Sequence, residues 1–244
     1  MSGQADLINK LLDKIGTIPG AKVNRIEYLE GCFNAEKRDI LYKIINEGTL
    51  NAGVSINVVK RLAEDAIKHE KTNAAATSYV SGITGWATML PSVSADVIQY
   101  YVHCFRLIQK MMYLYGWNED IINDSGDMDS EIRELVILYL GIIFGIEESG
   151  ETLMKIASVS TSQVAKGAMT KEILDEVAEH TFFSEGVEKT TEKLGRKFAT
   201  KGGIKTLIQT IPAIGATASA VVTYATFVPG VTKLKVYMET GIVN

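Results

Sequence analysis

The chain has 244 residues, of which 46% are apolar, enough for one large domain and too many for a disordered chain. Its 25 basic and 29 acidic residues give a net charge of −4, so no basic excess points to nucleic acid as a partner. Cys32 and Cys104 stand far apart without a CxxC partner, which fits reduced core thiols in a cytosolic protein better than a disulfide or zinc framework.

The first residues lack a basic segment followed by an apolar one, so no secretory signal is expected. Leu7, Ile8, Leu11, Leu12 and Ile15 recur at helical spacing and predict an amphipathic helix that stops near Gly16. Ile18-Pro19-Gly20 reads as a turn. Asn24 then caps a short helix, with Glu27 at the third helical position in a capping-box-like pair. A third helix is predicted from about Ala35, with Ile40, Leu41, Ile44 and Ile45 on one face, ending at Gly48. Ser55 caps a long helix carrying Val58, Val59, Leu62 and Ile67, which drifts into a stretch of small residues and breaks near Pro91.

Ser92 or Ser94 starts the next helix, and Gly116 ends it. Residues 118–130 form an acidic, turn-rich loop, after which 135–146 is an almost unbroken apolar run that reads as a buried helix. More polar helices follow near 151–166 and 171–178, then a charged helix over 187–197, a second small-residue stretch and a short tail. Apolar residues seldom alternate with period two, so strands are nearly absent. The expected fold is an all-α, single-domain, multi-helix bundle over residues 1–244, with Gly/Ala/Ser-rich helices packed tightly.

Residues 72–95 and 206–232 carry no charge and are long enough to span a bilayer. Both are rich in small residues and interrupted by Pro91, Pro212 or Pro229, which makes them weak as independent spans and better read as buried helices. Ser78–Gly82, Ser81–Gly85 and Gly215–Ser219 have the small-xxx-small spacing that lets helix backbones approach closely.

Enzyme signatures fail residue by residue. Gly202-Gly203-Ile204-Lys205-Thr206 lacks the glycine before lysine that a phosphate loop needs, and His69-Glu70 lacks the second histidine of a zinc protease helix. Residues 123–127 resemble a calcium loop until the spacing places Ile121 at the first ligand position. No metal and no cofactor is expected.

One helix carries a polar constellation. Asp96, Gln99, His103 and Lys110 fall in a narrow stripe, opposite Ile98, Val102, Phe105, Ile108 and Met112. The stripe reads either as the polar wall of a pocket, with His103 as its ionisable group, or as a solvated helix face. Near the second small-residue stretch, Lys189, Lys193, Arg196, Lys197, Lys201 and Lys205 outnumber Glu188 and Glu192. A basic segment beside an apolar one suits an anionic membrane surface, with Lys193, Arg196, Lys197 and Lys201 as the contacts, or else a solvated face.

Ser81-Gly82-Ile83-Thr84-Gly85, then Leu90-Pro91, Asp96, Arg106-Leu107-Ile108-Gln109 and Leu114-Tyr115-Gly116 together resemble the core pattern of the EcsC family of bacterial proteins. Ile211-Pro212-Ala213-Ile214-Gly215 with Thr223-Tyr224 resembles its C-terminal glycine-rich segment, and Ile18-Pro19-Gly20 also fits. The resemblance implies a helical bacterial protein, associated by name with an ABC-transporter operon, with no established catalytic activity or cofactor. It marks Asp96, Arg106 and Gln109 as pattern residues. The leading functional expectation is a non-enzymatic accessory protein, cytoplasmic and peripheral to the inner face of the cell membrane, touching lipid or a membrane-protein partner. The alternatives are a binding module enclosing a hydrophobic or amphipathic small molecule, with Asp96, Gln99, His103 and Arg106 at its site, and an enzyme of unrecognised type.

Overall fold

A computed structural model describes residues 3–75, 95–159, 169–199 and 218–240. Among them lie ten α-helices and no strand, as the helical periodicity requires. In chain order these are α1 (Gly3–Ile15), α2 (Arg25–Cys32), α3 (Arg38–Glu47), α4 (Ile56–Ala75) and α5 (Ala95–Leu114). They continue with α6 (Ser130–Ile143), α7 (Glu147–Val159), α8 (Lys171–Ala178), α9 (Thr181–Ala199) and α10 (Ala218–Thr240).

Local signals set several boundaries. The Asn24 side chain accepts a hydrogen bond from the Glu27 amide and so caps α2. Ser55 accepts from the Asn57 amide at the start of α4, and its backbone carbonyl takes the Val59 amide. Helix α3 starts at Arg38, later than about Ala35, because Glu36 closes a turn back onto Phe33 instead. Gly48 ends α3 at a φ of +83°, a conformation open chiefly to glycine, and a side chain there would run into the Gly116 carbonyl. Thr49 secures that approach by donating to the Leu114 carbonyl at 2.6 Å.

Helix α6 is the axis of the bundle. Its residues 135–143 are all buried, and α5, α7, α8, α9 and α10 pack around it. This is the buried helix foreseen over 135–146, shortened at its end by Gly145, which has a positive φ. Helix α7 begins at Glu147, earlier than expected, and α9 extends N-terminally to Thr181.

The C-terminal region departs from the expected short tail. Residues 218–240 form one helix with Pro229 inside it. Val231, Leu234, Tyr237 and Met238 are buried at helical spacing, which holds this segment against α4 and α6. The helix end is fastened by polar contacts as well: Tyr115 donates to Glu239 at 2.9 Å, and Lys235 joins Glu239 to Glu64 on α4.

Close packing through small residues is present among the described residues. The spacings at Ser78–Gly85 and Gly215–Ser219 fall outside the described residues. Among the described residues, Gly141 on α6 faces Ser149 and Thr190, Gly186 on α9 faces Thr152, and Gly230 on α10 lies against the Ile143 carbonyl. A side chain at any of the three would overlap atoms of the neighbouring helix. Among the described residues, no helix is long and apolar enough to cross a membrane.

Candidate functional site

Helix α4 buries Val59, Ala63, Ala66 and Ile67 along one face. Glu70 falls three residues after Ile67 and four after Ala66, so it continues that face into the interior and is 0% exposed. An ionised carboxylate there requires partners. It finds them on α5, where His103, Arg106 and Lys110 share one face at offsets of three and seven residues.

The geometry saturates the carboxylate. His103 Nδ1 lies 3.1 Å from Glu70 Oε2, while Arg106 Nε at 3.1 Å and Lys110 Nζ at 2.7 Å both reach Oε1. A carboxylate only accepts hydrogen bonds, so His103 carries its proton on Nδ1. Burial acts to raise the Glu70 pKa, but the His103 hydrogen bond and the Lys110 and Arg106 charges overcome it and hold the group at about 2. Glu70 is therefore ionised near neutral pH, with Arg106 and Lys110 both on Oε1. The side chains of Arg106 and Lys110 are 13% and 6% exposed.

The same face of α5 fastens the Ile18-Pro19-Gly20 turn and the residues after it. Arg106 donates to the Gly20 carbonyl. Gln109 donates to the Ala21 carbonyl at 2.8 Å and accepts from the Val23 amide at 3.0 Å. This tie fixes the start of α2 relative to α5.

Between α2, α4 and residues 22–24 opens a cleft of about 670 Å³ with Arg106 and Lys110 at its floor. Val23, Tyr28, Leu62 and Ala66 supply apolar wall, and Glu27, Asp65 and His69 supply polar rim. Lys110 Nζ sits 5.4 Å from the centroid of the Tyr28 ring, a cation–π contact. Burial raises the Tyr28 hydroxyl well above its usual pKa and raises the Cys32 thiol as well, so both are neutral polar groups in this wall. A cleft of similar size, about 680 Å³, lies among α1, α6 and α9. There Arg133 is tied to Asp13 and the Asn9 carbonyl, and no buried charge cluster forms its floor.

Of the four expected ligand residues, the structure brings His103 and Arg106 together at Glu70. Asp96 and Gln99 lie in the first turns of α5, and their side chains fall outside the described residues. The solvated-face reading of the stripe is corrected at His103 and Lys110, which are 1% and 5% exposed because Glu70 draws them inward. The sequence reading missed Glu70. Its signal was present in the helical offset from Ala66 and Ile67, yet its partners lie 33 to 40 residues away.

The expected membrane-contact residues are engaged within the protein. Lys193 pairs with Glu148 on α7, and Arg196 pairs with Glu192 one turn back. Lys197 donates to the Phe144 carbonyl and so helps close the C-terminal end of α6. Lys201 lies outside the described residues. Among the described residues no cluster of histidine, cysteine or carboxylate side chains is arranged to hold a metal ion.

No protein-family model, curated protein or solved structure matches this chain.

Proposed function

We propose that the protein is a binding module, and that a small amphipathic molecule occupies the cleft between α2, α4 and α5. The observation that carries this reading is the union of two unlike surfaces in one cavity. Its floor is a buried, preorganised charge cluster centred on Glu70, and its wall includes Val23, Tyr28, Leu62 and Ala66. The volume of about 670 Å³ lies within the rough range of 300–1,000 Å³ common for small-molecule sites.

The cluster suits holding charge better than moving protons. A general base works best with a pKa near the operating pH, and Glu70 is held at about 2 with both oxygens engaged. Binding without catalysis is therefore the reading the geometry favours over an enzyme. It is also favoured over direct membrane contact through α9, whose described cations already have internal partners. The resemblance to the EcsC family would place such a module in a bacterial cytoplasm, near the membrane transporter its name evokes.

Gly31 offers a clean test. It lines the cleft on α2, and a Cβ built there meets nothing within 4 Å. Gly31→Trp should fill the cavity without disturbing the core. Native mass spectrometry of the gently purified protein is expected to show a non-covalent adduct that disappears on denaturation and is missing from Gly31→Trp. A bare parent chain, or an equal adduct on both proteins, would count against the cleft as a ligand site.

A further inference from the structure

We propose that residues 123–127 form a strap, latched by Lys22, that steadies the 22–24 wall of the cleft and loosens as ionic strength rises. It is tested without any ligand, so its failure and the failure of the cleft as a binding site are distinct results.

The strap is built from local bonds and then fixed at two points. Within it, the Asn123 amide donates to the Asp127 carbonyl at 2.9 Å, and the Gly126 amide donates to the Asn123 carbonyl at 3.2 Å. The Asp127 amide donates to the Asn123 side chain at 2.9 Å. Ile121 and Ile122, just before these residues, are buried and root the strap in the core. At its far end Gly126 lies against Gly16, just beyond the end of α1, so closely that a Cβ on Gly16 would fall 2.0 Å from the Gly126 carbonyl oxygen. Lys22 is the second point. Its Nζ donates to the Asn123 carbonyl and to Asp124, each at 3.1 Å.

Lys22 belongs to the cleft as well as to the strap. Its side chain contributes to the cavity lining beside Val23 and Asn24. Its backbone lies between Ala21 and Val23, which Gln109 of α5 holds through the Ala21 carbonyl and the Val23 amide. A release at Lys22 Nζ therefore acts on the segment that forms this wall and leads into the Asn24 cap of α2.

The two fixings respond differently to solution conditions. The approach of Gly16 to Gly126 is a packing contact, which salt does not screen. The Lys22–Asp124 pair is open to water, with side chains 33% and 103% exposed. Exposed ion pairs are weak and are screened as salt is added. The latch is thus the part of the strap that opens, while Gln109 keeps the wall in place to be latched again.

Amide exchange of the full chain, followed residue by residue by nuclear magnetic resonance and measured against the amides of α6, tests this. The Asn123, Gly126 and Asp127 amides report on the strap, and the Val23 amide, bonded to Gln109, reports on the wall. Lys22→Met keeps an apolar stem beside the cleft and removes the latch. It should speed exchange at all four amides by roughly threefold, the scale of one exposed ion pair. Asp124→Asn removes the charge on the other side and should act in the same direction, and the double variant should be no faster than Lys22→Met alone. Raising the salt from about 0.02 M to about 0.5 M should speed these amides in the parent and leave Lys22→Met unchanged. Faster exchange confined to the strap, with Val23 unchanged, would show that the latch does not reach the wall and would overturn the proposal. Equal rates in the parent and Lys22→Met, or a parent that does not respond to salt, would overturn it as well.

Discussion

Glu70 on α4 and Lys110 on α5 stand 40 residues apart in the chain and meet at 2.7 Å, with side chains 0% and 6% exposed. Because Arg106 approaches the same oxygen, Glu70 joins two cations of α5 to α4. Glu70→Gln should cost roughly 3–5 kcal/mol of folding stability, the usual penalty for leaving buried charge unpaired. The double variant Glu70→Gln/Lys110→Met removes one orphaned cation and should recover part of that loss. Urea unfolding of the four proteins checks this. Additive losses across the cycle would mean that the two side chains do not act as a pair.

The same contact gives a pH dependence with a definite sign. The folded-state pKa of Glu70 is lowered from 4.5 to about 2, so the unfolded chain takes up the proton first as the solution is acidified. Stability supplied by Glu70 is complete above about pH 4.5 and is lost as the pH falls toward 2. Unfolding free energies measured across this window should fall more steeply for the parent than for Glu70→Gln. Parallel profiles would show that Glu70 is not held ionised by its neighbours.

Two glycines should respond in opposite ways to the same substitution. A Cβ on Gly186 would overlap the Thr152 side chain across the α7–α9 contact, so Gly186→Ala should destabilise by roughly 1–3 kcal/mol. Gly31 has open space around it on α2, so Gly31→Ala should be neutral or stabilise by up to about 1 kcal/mol through helix propensity. Thermal unfolding of both variants decides the matter, and equal melting temperatures would remove the close α7–α9 approach.

Much of the helical order was legible because its causes are local. Asn24 and Ser55 start helices through their own side chains, and the apolar run after Leu135 has no surface on which to end except the core. The site was only half legible. Spacing within α5 places His103, Arg106 and Lys110 together, but periodicity cannot distinguish a polar face turned to water from one turned to a carboxylate on another helix. Glu70 looks ordinary in the polar run His69-Glu70-Lys71 until its offset from Val59, Ala63 and Ala66 is followed. The last helix was obscured differently. Pro229 and the small residues before it suggested an interruption, and they outweighed the helical spacing of Val231, Leu234, Tyr237 and Met238.

The basic end of α9 provides a test of the rival reading. Lys193 and Arg196 are ion-paired and Lys197 donates to the end of α6, so these three side chains are already engaged within the protein. Co-sedimentation with phosphatidylserine vesicles at physiological salt is expected to recover little protein. Lys193→Glu/Arg196→Glu/Lys197→Glu should lose stability through the broken Glu148 and Phe144 contacts. Strong pelleting of the parent that the folded triple variant lacks would restore α9 as a membrane contact.

The central claim is that the cleft between α2 and α4, floored by Arg106 and Lys110, is where a ligand sits. Hydrogen–deuterium exchange with and without an amphipathic probe, octyl phosphate, tests it most directly. Exchange should slow in residues 25–32 and 62–70 of the parent and remain unchanged in Gly31→Trp. Protection elsewhere in the chain, or equal protection in both proteins, would contradict the account.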